Sequence, residues 1–403
     1  MPAFKPFKGF LPAAKHVQNV ILPPNKRWDE ANQAIVAGEN PLSFHQVMAA
    51  ANPDLPERQM EEACQQALQH FSSFLQDELY QQDDTACYYL YFTRYKGVEQ
   101  TGIIGLCEAA DLLGIRIKKH EHTRTDRVKQ LYKLVETTGL FTTPVFLTYE
   151  PVRAIDDLIF RIKQKPALLH AHSGVATDHS LWRIDEAADI ALIQQHLEQK
   201  EAFYIADGHH RAAISELYAE KHGGNGPMLS ILISANNLTI FPFYRRILND
   251  HGPIPLWDVL DALRENYHIR PCSLDQMYYQ YLPAQHFLLS TQEASWLLVP
   301  KNPHLRGDVL ADLDVSILQH EIIGPLLNIT DPKSDPRIEF GPMSIPLEQY
   351  KSLLQQPNTA MIFVCRAPLA EVIFKVADEG KVMPPKSTSF EPKILSGLVL
   401  HRA

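Results

Sequence analysis

The stretch FYIADGHHRAAISEL, Phe203 to Leu217, constrains the fold of this chain more than any other. The apolar run Phe203-Tyr204-Ile205-Ala206 reads as a buried strand, Asp207-Gly208 breaks it, and Ala212, Ile214, Leu217 and Tyr218 recur at helical spacing. A strand, a tight glycine turn and a helix are therefore expected. The first helical turn carries His209, His210 and Arg211 beside backbone N–H groups and the positive end of the helix dipole, which together suit a phosphate. Gly208 lets the backbone approach an anion closely, and Asp207 is placed to hold a metal or orient a hydroxyl. The plainer explanation is an Asp207 N-cap followed by solvated histidines.

Around this stretch strands and helices alternate irregularly, so a mixed α/β fold is expected. Cys87–Arg94 and Thr101–Glu108 are β-rich runs joined by a glycine-containing loop, which reads as a hairpin. Met60, Cys64, Ala67, Leu68, Phe71, Leu75 and Leu79 mark an amphipathic helix, and Asp126–Thr138 marks another that ends at Gly139. A short helix from Trp28 to Val36 is expected after Pro23-Pro24-Asn25, and a longer one over Leu313–Leu327. At 403 residues there is room for two or three domains, divided here as 1–100, 101–250 with an insertion over 150–201, and 251–403 closing over the site.

The balance of 38 basic against 47 acidic residues, net -9, argues against a nucleic-acid footprint. No window has the apolar length of a membrane span and the N-terminus lacks a continuous apolar core, so a cytoplasmic protein is expected. Cys64, Cys87, Cys107, Cys272 and Cys365 are odd in number and never in CxxC pairs, so they read as reduced, mostly buried thiols.

Three further groups could carry chemistry. Lys118-Lys119-His120-Glu121 sits at a strand end before a helix, where Glu121 either caps the helix or serves as a general base. Lys386, Ser387 and Thr388, stiffened by Pro384 and Pro385, supply a cation and two hydroxyls suited to a phosphate or a carboxylate; a plain surface turn is the alternative. Tyr244, Arg245 and Arg246 follow a strand and either reach an anionic ligand or are solvated. His170, His172 and His179 are too loosely spaced to suggest a metal. No GK[ST] phosphate loop, G-x-G-x-x-G, HExxH or G-x-S-x-G is present, which disfavours a P-loop kinase, a Rossmann dehydrogenase and a zincin.

KKHE at Lys118–Glu121, IADGHHRAA at Ile205–Ala213 and MPPKST at Met383–Thr388, in that order, resemble the family called domain of unknown function 1015, as do NPLSF at Asn40–Phe44 and LDVSIL at Leu313–Leu318. From about Thr101 onward the chain also resembles the archaeal free serine kinases of the ParB/sulfiredoxin superfamily. KHE (Lys119–Glu121), GLFTTP (Gly139–Pro144), DGHHR (Asp207–Arg211) and PKST (Pro385–Thr388) follow that kinase's landmarks in order. The chain departs from that pattern in the length of 150–201, in Ala212 where an aromatic usually follows DGHHR, and in a first hundred residues without counterpart. It also has Pro23-Pro24-Asn25-Lys26 where its own family commonly has Pro-Pro-Tyr-Asp.

The resemblance implies a ParB/sulfiredoxin-like nucleotide-binding core with N- and C-terminal α/β extensions. It implies ATP or ADP, with CTP a further candidate, whose phosphates lie on Gly208, His209, His210 and Arg211, with Mg²⁺ held by Asp207. Glu121 and Asp207 would be catalytic, and His120, Lys386, Ser387, Thr388 and Arg245 would hold a small hydroxylated metabolite, free L-serine first among them. A small-molecule kinase is the leading expectation. A nucleotide-gated switch of the CTP-dependent clamp kind is its rival, and a catalytically silent scaffold is a third possibility. No membrane partner is expected, nucleic acid is disfavoured, and a homodimer is left open.

Overall fold

Strands rich in β-branched and aromatic residues run through the first 239 residues and pair into one nine-stranded mixed sheet. They are β1 (Phe4–Lys5), β2 (Tyr88–Tyr95), β3 (Val98–Glu108), β4 (Ile117–Lys118), β5 (Val145–Tyr149), β6 (Leu169–His172), β7 (Thr177–Ile184), β8 (Phe203–Asp207) and β9 (Pro227–Ser234). Their order is β4-β8-β5-β9-β3-β2-β7-β6, with β1 added beside β3. The computed structural model describes residues 2–22, 40–52, 54–95, 97–113, 116–121, 123, 125–172, 177–250, 252, 254–278 and 280–403, so the expected helix Trp28–Val36 and the Pro23–Lys26 turn lie outside the described residues. The chain divides into two units, Met1–Thr239 with Pro392–Ala403, and Ile240–Glu391.

The expected hairpin is present: β2 and β3 are antiparallel, with Leu90 opposite Ile103. The expected helices are present too, as α1 (Glu57–Gln76) and α2 (Thr125–Thr138), the latter stopped by Gly139 at φ +70°. Alternation along each strand sends Tyr88, Leu90, Ile103, Leu147, Phe203, Ile205 and Leu232 to one face of the sheet. That face is covered by Ile155, Leu158 and Ile162 of α3 (Arg153–Lys163) and by Ile193 and Leu197 of α4 (Ala187–Glu198). A second core gathers Met60, Cys64, Ala67, Phe71 and Phe74 of α1 against Phe44, Leu134, Leu140 and Leu400. All five cysteines are free thiols and all but Cys272 are buried, as expected. Ala110–Leu113 is a helical turn, and the strand end expected at KKHE is the short Ile117–Lys118.

The last twelve residues return to the first unit. His401–Arg402 pairs antiparallel with Leu140–Phe141, the Leu400 N–H donates to the Phe10 carbonyl at 3.0 Å, and the Ser396 and Thr143 hydroxyls lie 2.6 Å apart.

The second unit holds a six-stranded antiparallel sheet. Its strands are β10 (Phe243–Leu248), β11 (Tyr267–Cys272), β12 (Phe287–Ser290), β13 (Ser295–Pro300), β14 (Ile338–Pro342) and β15 (Thr359–Cys365), in the order β11-β13-β12-β15-β10-β14. The helix expected over Leu313–Leu327 is two short α-helical pieces around a π-turn at Leu318–Ile323. Pro325 has no N–H for the i→i−4 ladder, and the wider turn before it absorbs the break. No helix among the described residues is long and apolar enough to cross a membrane.

Candidate active site

β4 and β8 are parallel neighbours, with Phe203 opposite Ile117 and Tyr204 opposite Lys118. Both strands therefore end at the same edge of the sheet, and the loops after them open on the same side, where open α/β sheets receive ligands. This brings KKHE to DGHHR across more than eighty residues of sequence. The rings of His120 and His209 meet edge to face with centroids 4.7 Å apart, and Glu121 Oε2 lies 3.5 Å from His209 Nδ1.

The expected strand, turn and helix are β8, Gly208 and α5 (His209–Lys221). Ile205 sits opposite Leu147, yet Asp207 sits opposite Phe146, so the register slips by one residue at the strand's end. This bulge turns Asp207 away from the face covered by α3 and α4, a local re-aiming that period-two alternation alone would not produce. Gly208 has φ +95°, and a Cβ there would lie 2.8 Å from the Arg211 guanidinium. Glycine thus permits both the left-handed turn and the return of Arg211 over it. Arg211 donates to Asp207 Oδ2 at 2.6 Å and to the Pro144 carbonyl. Gly208 is the N-cap of α5 and no side chain among the described residues caps it, so Asp207 is not the N-cap that the plainer explanation supposed.

A second cation completes the group. Lys393 Nζ lies 3.1 Å from Asp207 Oδ1. Burial works against ionisation of Asp207, but the Lys393 ammonium and the Arg211 guanidinium outweigh it and hold the carboxyl well below its usual range. Burial lowers His120 to about 4, and burial together with the neighbouring His120 lowers His209 to about 3. Both imidazoles are therefore neutral at pH 7. His120 Nδ1 and His209 Nε2 are buried without a hydrogen-bond partner among the described residues. Lys119 is spent on Glu216, 2.5 Å away on α5, and Lys118 lies 5.8 Å from the Tyr204 ring centroid. Beside Arg211 a cavity of about 110 Å³ opens between α2 and α5, walled by Leu131, Val135, Phe141 and Ile214, with Arg127 also lining it.

Arg245, Lys386, Ser387 and Thr388 belong to the second unit and form a group there. Arg245 donates to the Lys386 carbonyl at 3.3 Å, and the Ser387 hydroxyl donates to the Pro384 carbonyl at 2.6 Å. Lys386 has φ +56°, with its ammonium 5.6 Å above the Phe243 ring. Neither Arg245 nor Arg246 is solvated; both are buried.

Lys393 and the Pro144 carbonyl were not expected at the turn. Nothing in Glu391-Pro392-Lys393 distinguishes this lysine from a surface residue; only the tail's return along the first unit delivers it. Among the described residues no cluster of three or more His, Cys, Asp or Glu side chains could hold a metal. Asp207 is the carboxylate through which a metal at this turn would be held, and its two oxygens face Arg211 and Lys393.

The chain belongs to the DUF1015 family, described as a protein of unknown function, whose model matches residues 4–316. Among solved structures it is similar to a free serine kinase in complex with AMP, at 16% identity and TM-score 0.35, covering 71% of this chain and 86% of that one. It is also similar to SbnI with a C-terminal truncation from Staphylococcus aureus, at 13% identity, TM-score 0.37 and coverage of 72% and 82%. A conserved hypothetical protein from Pyrococcus furiosus is a third, at 15% identity, TM-score 0.34 and coverage of 72% and 93%. No curated protein sequence matches the chain significantly.

Proposed function

We propose that the turn Asp207–Arg211 receives the polyphosphate of ATP or ADP, and that the chain passes the terminal phosphoryl group to a small hydroxyl compound, with free L-serine the first candidate. The observation that carries this reading is the meeting of an uncapped helix N-terminus, two cations and a solvent-reachable carboxylate at one sheet edge. Glu121 Oε2 stands 3.5 Å from His209, the first residue of α5, and the Glu121 side chain is 57% exposed. A carboxylate so placed is open to a hydroxyl arriving from solvent.

In the proposed step Glu121 takes the proton of the acceptor hydroxyl as its oxygen attacks the terminal phosphorus. The phosphorus–oxygen bond to the nucleotide breaks, and the electron pair leaves on the nucleotide's remaining phosphate. The N–H groups of the first turn of α5 and the cations of Arg211 and Lys393 would offset the charge on the phosphates, so positioning and electrostatics supply most of the rate. The neutral imidazoles of His120 and His209 add no positive charge that would compete for the phosphate. The apolar cavity beside Arg211 is where a flat nucleobase would lie. When bound, Mg²⁺ would neutralise the phosphates further. Within the first unit the acceptor would be held by His120, beside Glu121 and His209.

The test is Glu121→Gln. It should lower phosphoryl transfer by roughly 10²–10⁴-fold, the usual contribution of a general base, with nucleotide affinity nearly unchanged by calorimetry. Unchanged transfer would remove the base. Nucleotide binding without transfer to any hydroxyl compound would favour the switch reading instead.

A further inference from the structure

Trp257 is 70% exposed, although Val259, Leu260 and Leu263 on the same helix are buried. It stands on α6 (Leu256–Asn266), where Trp257, Leu260 and Arg264 recur at i, i+3 and i+7 and so share one face. The helix runs directly into β11, since Tyr267 is both its C-cap and the first residue of the strand. β11 is an edge of the six-stranded sheet, with Pro271 opposite Trp296 and Ile269 opposite Leu298 on β13. Opposed residues, and alternate residues along a strand, share a face, so Ile269, Pro271 and Trp296 lie on one side of the sheet. A groove of about 360 Å³ is lined by that side and by the Trp257 face of α6 together, with Arg264, His268 and Lys301 among its walls.

The charge on these walls is of one sign. Lys301 Nζ donates to the Arg264 carbonyl at 2.6 Å, which fixes an ammonium at the C-terminal end of α6, where the helix dipole favours a cation. Arg264 pairs with Asp261 on the same helix, but both side chains are more than half exposed, and an ion pair so placed contributes little and yields readily to a ligand. No aspartate or glutamate lines the groove among the described residues, in a chain whose net charge is -9. An indole presented to water also offers a broad apolar face on which a flat ring can stack. We infer that this groove binds a flat aromatic acid, whose ring lies against Trp257 and Trp296 and whose carboxylate meets Arg264 and Lys301. The volume is that of a small-molecule cleft. The few cations at its walls do not make the continuous track that a nucleic-acid strand follows. The site lies wholly within the second unit and does not depend on phosphoryl transfer in the first.

The experiment is calorimetry and tryptophan fluorescence of the full chain with naphthoate, its uncharged analogue naphthamide, and the saturated acid cyclohexanecarboxylate. Naphthoate should quench the fluorescence and bind roughly tenfold more tightly than either of the others, the size of one charge-assisted hydrogen bond or one aromatic contact. Trp257→Ala, a change at an exposed position, should fold as the wild type does and weaken naphthoate about tenfold. A variant carrying Arg264→Gln and Lys301→Met should lose the preference for naphthoate while binding naphthamide as before. ADP affinity should be the same in all of these proteins, which separates this groove from the turn at Asp207–Arg211. Equal binding of naphthoate and naphthamide by the wild type overturns the inference, as does a Trp257→Ala variant that binds naphthoate undiminished. Self-association in sedimentation that Trp257→Ala abolishes, with no naphthoate bound, overturns it in favour of a second copy of the chain. Tighter binding of a thymidine oligonucleotide than of naphthoate overturns it in favour of nucleic acid.

Discussion

At the turn after β8 two cations, Arg211 and Lys393, flank one carboxylate, Asp207. On β10 one buried cation, Arg245, has carbonyls, a thiol and an aromatic ring about it, with no carboxylate among the described residues. The first arrangement keeps a net positive charge, but both of its cations already face an internal anion. Under the proposed function, a phosphate arriving there would compete with Asp207 for Arg211 and Lys393. The second arrangement holds its charge against carbonyl dipoles, a thiol and a ring, with no internal anion among the described residues. An internal anion would therefore set a threshold for phosphate at the first group, while the second depends on dipoles alone to hold its charge.

The largest effect expected is on Arg246, the neighbour of Arg245 on β10. Arg246→Met should lower unfolding stability by roughly 3 kcal/mol in urea titrations, because it strands Asn358 and Thr359 and breaks the charge-assisted pair with Glu339. Arg245→Met should lower it little or not at all. Equal losses would erase the contrast between the two arginines.

Asp207→Asn should convert the first site toward the condition of the second, leaving Arg211 and Lys393 without their carboxylate. Pyrophosphate should then bind on the order of tenfold more tightly, about 1.4 kcal/mol by calorimetry, while phosphoryl transfer falls. Weaker pyrophosphate binding would show that Asp207 orders the cations rather than competing with the ligand.

Gly208→Ala should cost about 1 kcal/mol of stability from the left-handed φ. It should weaken pyrophosphate binding as well, since the new Cβ meets the Arg211 guanidinium. Loss of stability with binding intact would separate the turn from the ligand.

The smallest effect is in pH dependence. Unfolded imidazoles take up protons as pH falls through 6.5, whereas burial keeps folded His120 neutral to about 4, and burial with the neighbouring His120 keeps folded His209 neutral to about 3. The unfolded state then binds more protons, so stability should decline as pH drops from 6.5 toward 4. Urea midpoints across that range should show a shallower slope in His209→Gln; an unchanged slope would mean that His209 takes up a proton in the folded state as readily as in the unfolded one.

Much of the fold was legible in residue spacing. The hairpin of β2 and β3 announces itself in two β-rich runs around a glycine loop, and α2 ends where Gly139 says it should. β10 escaped notice because Pro242 and two arginines make Phe241–Arg246 look like a loop. Its apolar partners, Phe363 and Phe340 opposite Arg245, lie about a hundred residues away. β11 was hidden likewise, since Tyr267 closes a helical pattern and Pro271 discourages a strand.

Local chemistry is written in the chain itself: a glycine turn between a buried strand and a helix, a carboxylate at a strand end, a stiff loop of hydroxyls. Which charges are countered is written elsewhere. Asp207 faces two cations because a one-residue bulge turns it and because a tail 186 positions away brings Lys393. Arg246 finds Glu339 while its neighbour finds no carboxylate among the described residues, because alternate residues of a strand face opposite sides of the sheet. Backbone preference acts over a few residues and so shows in sequence; electrostatic compensation depends on separations in space, which pairing of distant strands alone decides.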